Sequence, residues 1–136
     1  MSNGDLVSVD AKHEKVIKMR STREHLAERH VHGATRGISV CMDDRIYVLV
    51  EGGPYMHLLD SFLNNLGTIR FYRNQPSKLD CRYLLCIENL LHISCDDAVY
   101  LLDVQNGNVT AIQPTENSVY GLGIGVDASD NVFVAT

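Results

Sequence analysis

The sequence predicts an all-β fold made of repeated four-stranded antiparallel units, and three observations carry that prediction. First, residues 36–69 hold four short apolar runs, each about 3–6 residues, cut by turn-forming residues. The runs are Gly37-Ile38-Ser39-Val40, Arg45-Ile46-Tyr47-Val48-Leu49-Val50, Met56-His57-Leu58-Leu59-Asp60 and Leu66-Gly67-Thr68-Ile69. Ile46, Tyr47, Val48 and Val50 are β-branched or aromatic and favour strand, and runs this short do not overcome the cost of helix nucleation. Second, the unit repeats. Leu58/Leu101, Leu59/Leu102, Asp60/Asp103 and Ile69/Ile112 all lie forty-three apart, and Ile38, Val40, Ile46, Tyr47 and Val48 recur eighty-six later as Ile124, Val126, Val132, Phe133 and Val134. A period in the forties with four strands per repeat is the signature of a β-propeller blade. Third, no apolar run approaches the ~18 residues of a membrane helix, which argues against a membrane role.

Naming the strands of one unit A, B, C and D in chain order, the elements read as follows. Residues 5–19 form a half-blade C–D, with Asp10 in the place of Asp60 although fifty residues ahead of it. Residues 20–35 are a polar inserted loop with room for one helical turn, since Ser21 and Glu24 make a capping-box pattern. Residues 36–72 form a full blade and 80–113 a second, whose A and B strands (Arg82 to Cys86, Leu90 to Ile93) match least well. Residues 121–136 form a half-blade A–B. The D-to-A and B-to-C connections emerge on one face, and the A-to-B and C-to-D turns on the other. Asp43-Asp44, Asn106-Gly107-Asn108 and Ser129-Asp130-Asn131 are residues that stabilise tight turns through their own side chains.

These residues resemble the NHL-repeat propellers. The resemblance rests on Gly37-Ile38-Ser39-Val40 with Ile46-Tyr47-Val48, on Gly123-Ile124-Gly125-Val126-Asp127 with Asn131-Val132-Phe133-Val134, and on Leu58-Leu59-Asp60-Ser61 followed by Leu66-Gly67-Thr68-Ile69. The Asn-His-Leu tripeptide of the family is replaced by Pro54-Tyr55-Met56-His57-Leu58, and the middle blade lacks the Gly-Ile-x-Val start. The resemblance implies a non-enzymatic recognition scaffold of the kind found at the C-terminus of tripartite-motif proteins, where other domains supply ubiquitin-ligase activity and the propeller binds protein or RNA. The alternative is a piece of a propeller enzyme, of lactonase or amidating-lyase type, with a metal in the axial tunnel.

The residues themselves point to one binding candidate. Loops on a rigid scaffold are where binding residues usually sit, and the two long D-to-A connections carry Arg20, Arg23, Arg29, Arg36, Arg70, Arg73 and Lys78 beside Tyr55 and Tyr72. Arginine supplies forked donors and tyrosine a stacking face. A protein partner is expected, with single-stranded RNA as a further option. His25, His30 and His32 read as exposed loop residues, because His30 and His32 are two apart and no carboxylate completes a metal motif. The aspartate pairs read as turn residues, not calcium ligands. The chain carries no nucleophile elbow, phosphate-binding loop or zinc-protease motif, so neither catalytic residues nor a cofactor is expected.

Net charge is −5 over 136 residues. Met1-Ser2-Asn3-Gly4-Asp5 shows neither the basic nor the apolar region of a signal peptide. The four cysteines, Cys41, Cys81, Cys86 and Cys95, form no Cys-x-x-Cys pair and read as free buried thiols in a reducing, cytoplasmic setting. About three blades are too few for a closed ring of 4–8. The expectation is therefore a fragment of a longer propeller, or two chains closing one ring, that does not behave as a clean monomer when isolated.

Overall fold

The structure is a computed structural model that describes residues 1, 3–50, 55–70, 81–95, 99–112, 123–126 and 132–135. Every regular element among them is a strand: β1 (Leu6–Asp10), β2 (Lys15–Met19), β3 (His25–His30), β4 (Ala34–Val40), β5 (Ile46–Val50), β6 (Tyr55–Leu59), β7 (Asn65–Arg70), β8 (Cys81–Ile87), β9 (Leu90–Cys95), β10 (Val99–Asp103), β11 (Val109–Ile112), β12 (Gly123–Val126) and β13 (Val132–Ala135). They form four antiparallel meanders, β1-β2-β3, β4-β5-β6-β7, β8-β9-β10-β11 and β12-β13, called here blades I to IV. The first strands touch in succession, β1 against β4, β4 against β8 and β8 against β12, so the blades fan out from a common line of inner strands.

The cores lie between blades. A strand's alternate side chains leave opposite faces of its sheet, and blade II uses both. Tyr47, Leu49 and Met56 pack with Leu84, Leu91, Ile93, Tyr100 and Leu102 of blade III. Ile46, Val48 and Leu59 pack instead with Val16, Val31, Val7 and Val9. Tyr47 is 2% exposed, and that burial pushes its phenol above the ordinary value.

Blade I corrects the sequence reading in register and in content. Residues 20–35 are not a helical insertion, because His25–His30 is a strand paired with β2. Nor are β1 and β2 the C and D strands. Lys15↔His30, Val16↔Arg29, Ile17↔Glu28 and Lys18↔Ala27 repeat, forty residues on, as Tyr55↔Arg70, Met56↔Ile69, His57↔Thr68 and Leu58↔Gly67, and the bulge after Lys18 recurs after Leu58. The turns agree. Arg20 N–H donates to Glu24 O and Arg23 N–H to Arg20 O, as Asp60 does to Asn64 and Leu63 to Asp60, with Arg23 at φ 69° and Leu63 at φ 65°. The Met1 nitrogen donates to Asp5 O, and Gly4 N–H to Met1 O. Cys41 N–H donates to Arg45 O and Asp44 N–H to Cys41 O in the same way. Blade I therefore holds strands B, C and D in β1, β2 and β3, on a forty-residue repeat. Asp10 to Asp60, fifty apart, is a coincidence of composition.

The cysteines are also corrected. Among the described residues no thiol is free: Cys81 is bonded to Cys95 and Cys41 to Cys86. Cys81 and Cys95 face each other across β8 and β9. Cys41, in the turn after β4, reaches Cys86 at the end of β8 and ties blade II to blade III. Strand pairing brings Cys81 to Cys95 and blade packing brings Cys41 to Cys86, so no short-range spacing motif announces them.

Candidate binding face

The molecule has two rims, fixed by strand direction. One carries the tips of the A–B and C–D hairpins, including residues 20–24, 41–45 and 60–64. On the other lie the B–C turns and the passages between blades, including residues 10–14 and 31–33 and the ends of β6 and β7 at Tyr55 and Arg70. This geometry divides the arginine set proposed from sequence. Arg20 and Arg23 sit on the hairpin rim, while Tyr55 and Arg70 sit on the passage rim. Arg29 lies in β3 and Arg36 in β4. Tyr72, Arg73 and Lys78 lie outside the described residues.

The individual environments differ as much as the positions. Arg20 pairs with Glu24 at 3.0 Å, both side chains exposed. Arg29 points between blades, where its Nε–H donates to Leu63 O at 2.7 Å. Lys18 makes a matching contact, donating to Ser61 O at 2.8 Å with its ammonium 5.7 Å from the Phe62 ring. Both cations hold the 60–64 turn of blade II, so Arg29 belongs to the inter-blade seam.

Tyr55 and Arg70 face each other across β6 and β7. The guanidinium carbon lies 5.7 Å from the centre of the Tyr55 ring, within reach of a cation–π contact. The same rim position in blade I is occupied by Lys15 and His30, so two successive blades place a basic side chain there. Acids are interleaved. Lys15 Nζ donates to Glu28 Oε1 at 3.2 Å, a bond that holds the Glu28 carboxyl below its ordinary value, with a nearby contribution from His25. Glu14 Oε1 accepts Gly33 N–H at 3.0 Å, and its other oxygen lies 3.5 Å from His30 Nε2 and 3.8 Å from His32 Nδ1. His13 bonds Asp10 at 2.7 Å and lowers that carboxyl chiefly through this hydrogen bond. No group of three or more metal-ligating side chains converges among the described residues.

Two concavities went unread in the sequence. One, about 210 Å³, lies over the Cys41–Cys86 bond and is lined by Met1, Val40, Met42, Asp44 and Glu88 as well. The other, about 450 Å³, runs along blade III between Ile87, Glu88, Leu90, His92, Asp103 and Gln105. His92 is 7% exposed with Nδ1 3.2 Å from Leu90 O. A polar ring at the strand position that Tyr47 fills in blade II was the sequence signal for it.

No family model and no curated protein matches the chain. Among solved structures, the chain is similar to dihydro-heme d1 dehydrogenase NirN in complex with DHE, with a TM-score of 0.67 and 16% sequence identity over 97% of this chain and 30% of that one. The chain thus spans about 30% of the length of that propeller-like neighbour. The fold is a partial β-propeller. At this identity the likeness concerns the fold alone.

Proposed function

We propose that the chain is part of a non-enzymatic recognition propeller that binds an acidic segment of a partner protein on its passage rim. The observation that carries this reading is the Tyr55–Arg70 cation–π contact. A guanidinium beside a tyrosine ring offers directional donors to a carboxylate and an aromatic edge to an apolar neighbour. Lys15, at the same position of blade I and paired with Glu28, adds a second basic side chain to the rim. The NHL-type reading is carried with this proposal, since Gly37-Ile38-Ser39-Val40 and Gly123-Ile124-Gly125-Val126 both fall in inner strands. Any ubiquitin-ligase role would belong to other domains of a longer protein. Two disulfides fit an oxidising compartment better than the cytoplasm.

The test is binding of a fluorescent oligoglutamate peptide and, in parallel, of a single-stranded uridine oligomer. Tyr55→Ala with Arg70→Ala should weaken peptide binding, and Arg20→Ala with Arg23→Ala, on the other rim, should not. Equal loss from both pairs would reduce the effect to net charge, and preference for the oligonucleotide would make stacking on Tyr55 the relevant chemistry.

A second reading, a segment of a propeller enzyme with an axial metal, is the alternative that the sequence leaves open. It predicts that a divalent metal raises the melting temperature of the chain, which the binding-scaffold reading does not.

A further inference from the structure

We infer that the Cys41–Cys86 bond is a site of thiol–disulfide exchange, opened by a dithiol, and that its state sets how firmly the hairpin end of blade II is tied to blade III. The two disulfides sit in different surroundings. Cys81 and Cys95 are buried, at 9% and 0% exposure. They join neighbouring strands of one sheet, so the β8–β9 ladder would hold their sulfurs face to face even after cleavage. Cys41 and Cys86 join two blades. Both line the concavity of about 210 Å³ on the hairpin rim, together with Met42, Asp44 and Glu88. Met42 is 72% exposed and Glu88 is exposed, so the bond is reached between surface side chains of two turns.

The direction of attack follows from burial. A thiolate reacts with a disulfide through the sulfur that it can approach. Cys41 is 4% exposed and belongs to the apolar cluster between the blades, whereas Cys86 is only partly buried at the margin of that cluster. The Cys86 sulfur lies near the end of β8, 3.4 Å from the Glu88 carbonyl oxygen. The incoming thiolate therefore bonds to Cys86 Sγ. The bond between Cys86 and Cys41 breaks, its electron pair stays on Cys41 Sγ, and that thiolate takes up a proton. The second thiol of the reductant, as its thiolate, then attacks the reductant's own sulfur in the mixed disulfide. Cys86 leaves with the electron pair and takes up a proton. Two electrons and two protons thus pass from the dithiol, which ends as a disulfide, to the two cysteines.

Cleavage removes a tie without dissolving the seam. Tyr47 and Leu49 stay packed with Leu84 and Leu91, and Cys86 N–H keeps its bond to Ser39 Oγ at 2.9 Å. What loses its anchor is the turn at residues 41–45. Its remaining restraints are internal, with Cys41 N–H donating to Arg45 O and Asp44 N–H to Cys41 O. The exchange therefore acts on the hairpin rim of blade II and leaves the sheets intact.

The experiment treats the folded, fully oxidised chain with dithiothreitol in native buffer. Samples are quenched in acid and new thiols are labelled with N-ethylmaleimide for peptide mass spectrometry. Cys41 and Cys86 should become labelled together, about tenfold or more faster than Cys81 and Cys95. Cysteamine, a monothiol, should be trapped as a mixed disulfide on Cys86, with Cys41 left as the thiol. In the sample where only this pair is open, hydrogen exchange should speed up at the amides of Cys41 and Asp44 and stay unchanged along β9 and β10. No sequence change is made, so a misfolded variant cannot mimic the result. A native chain that resists the dithiol, both pairs opening at one rate, Cys81 and Cys95 opening first, the adduct on Cys41, or unaltered exchange at residues 41 and 44 would each overturn the inference.

Discussion

Gly37→Ala tests the packing at the inner strands, and its sign is the informative quantity. A methyl group at Gly37 would lie 2.4 Å from Leu49 Cδ1, 2.9 Å from Leu49 Cγ and 3.1 Å from the Arg82 carbonyl oxygen. Leu49 is 1% exposed and cannot swing into solvent, and the third neighbour is backbone of the adjacent blade. Overpacking of this sort costs about 1–3 kcal/mol. Against it stands a gain of roughly 0.4–1 kcal/mol from the stiffer unfolded chain. The net expectation is a loss of about 1–2 kcal/mol, read in urea titration as a midpoint about 1 M lower at unchanged slope, for a slope of roughly 1–2 kcal/mol/M. Leu49→Ala alone should cost about 2–5 kcal/mol, but the double variant should lose less than the sum by about 1 kcal/mol or more, because the leucine that collides is gone. A neutral or stabilising Gly37→Ala, or strict additivity, would refute the close approach of β4 to β8.

Four further outcomes are expected. Arg29→Ala removes a donor to the part-buried Leu63 carbonyl and should cost about 1–2 kcal/mol, while Arg20→Ala, in an exposed pair, should change stability by less than about 0.5 kcal/mol; thermal melts of the two variants decide it. Unfolded without reductant, the chain should react with no maleimide, since all four cysteines are bonded, and labelling of two or more sites would contradict the pairing. Replacing Cys41 and Cys86 by alanine opens a loop whose ends are 45 residues apart and should cost about 4 kcal/mol by the chain-entropy estimate, measured by chemical denaturation. The Asp60 carboxyl is held low mainly by Asn64 N–H, with Asn64 and Phe62 adding further bonds. A depressed folded value means its contribution is present at neutral pH and is lost as pH falls from the ordinary carboxylate value through the folded one, so Asp60→Asn should flatten the acid limb of stability against pH.

The fold class was legible because it rests on local chemistry. Runs such as Ile46-Tyr47-Val48 favour strand wherever they occur, and the recurrence of Ile38, Val40 and Ile46 eighty-six residues on reports a scaffold that reuses positions. The register of blade I was not legible. Its seam-facing positions carry Lys18, Ala27 and Arg29 where blade II has Leu58, Gly67 and Ile69, so the apolar pattern that defines a strand is absent from β3, and Asp10 offered a false anchor. The disulfides were hidden for a related reason: Cys41 and Cys86 are brought together by blade stacking, and Cys81 and Cys95 by a ladder. The arginine set was chosen for lying in the two long connections assigned to one rim. Which rim a residue occupies depends on strand direction, and an error in the blade I register moved Arg20 and Arg23 to the wrong rim.

The same substitutions explain how the two seams differ. Between blades II and III, Leu58 and Ile69 add to an apolar cluster, and a disulfide closes the hairpin end. Between blades I and II, Lys18 and Arg29 take those positions, and their charged ends extend past the apolar cluster to the carbonyls of Ser61 and Leu63. Met1 occupies the turn position of Cys41, and beside it Val40 lines the same small cavity, so the I–II seam has thioether and valine where the II–III seam has a covalent bond. Long cationic side chains can cover apolar surface while their heads bond carbonyls at the edge, which lets one backbone template host both designs. A seam closed by side-chain-to-carbonyl bonds can open reversibly, whereas one closed by a disulfide opens only when that bond is broken. Blades II and III are therefore held by a covalent tie, and blades I and II by the Lys18 and Arg29 bonds and their shared apolar cluster.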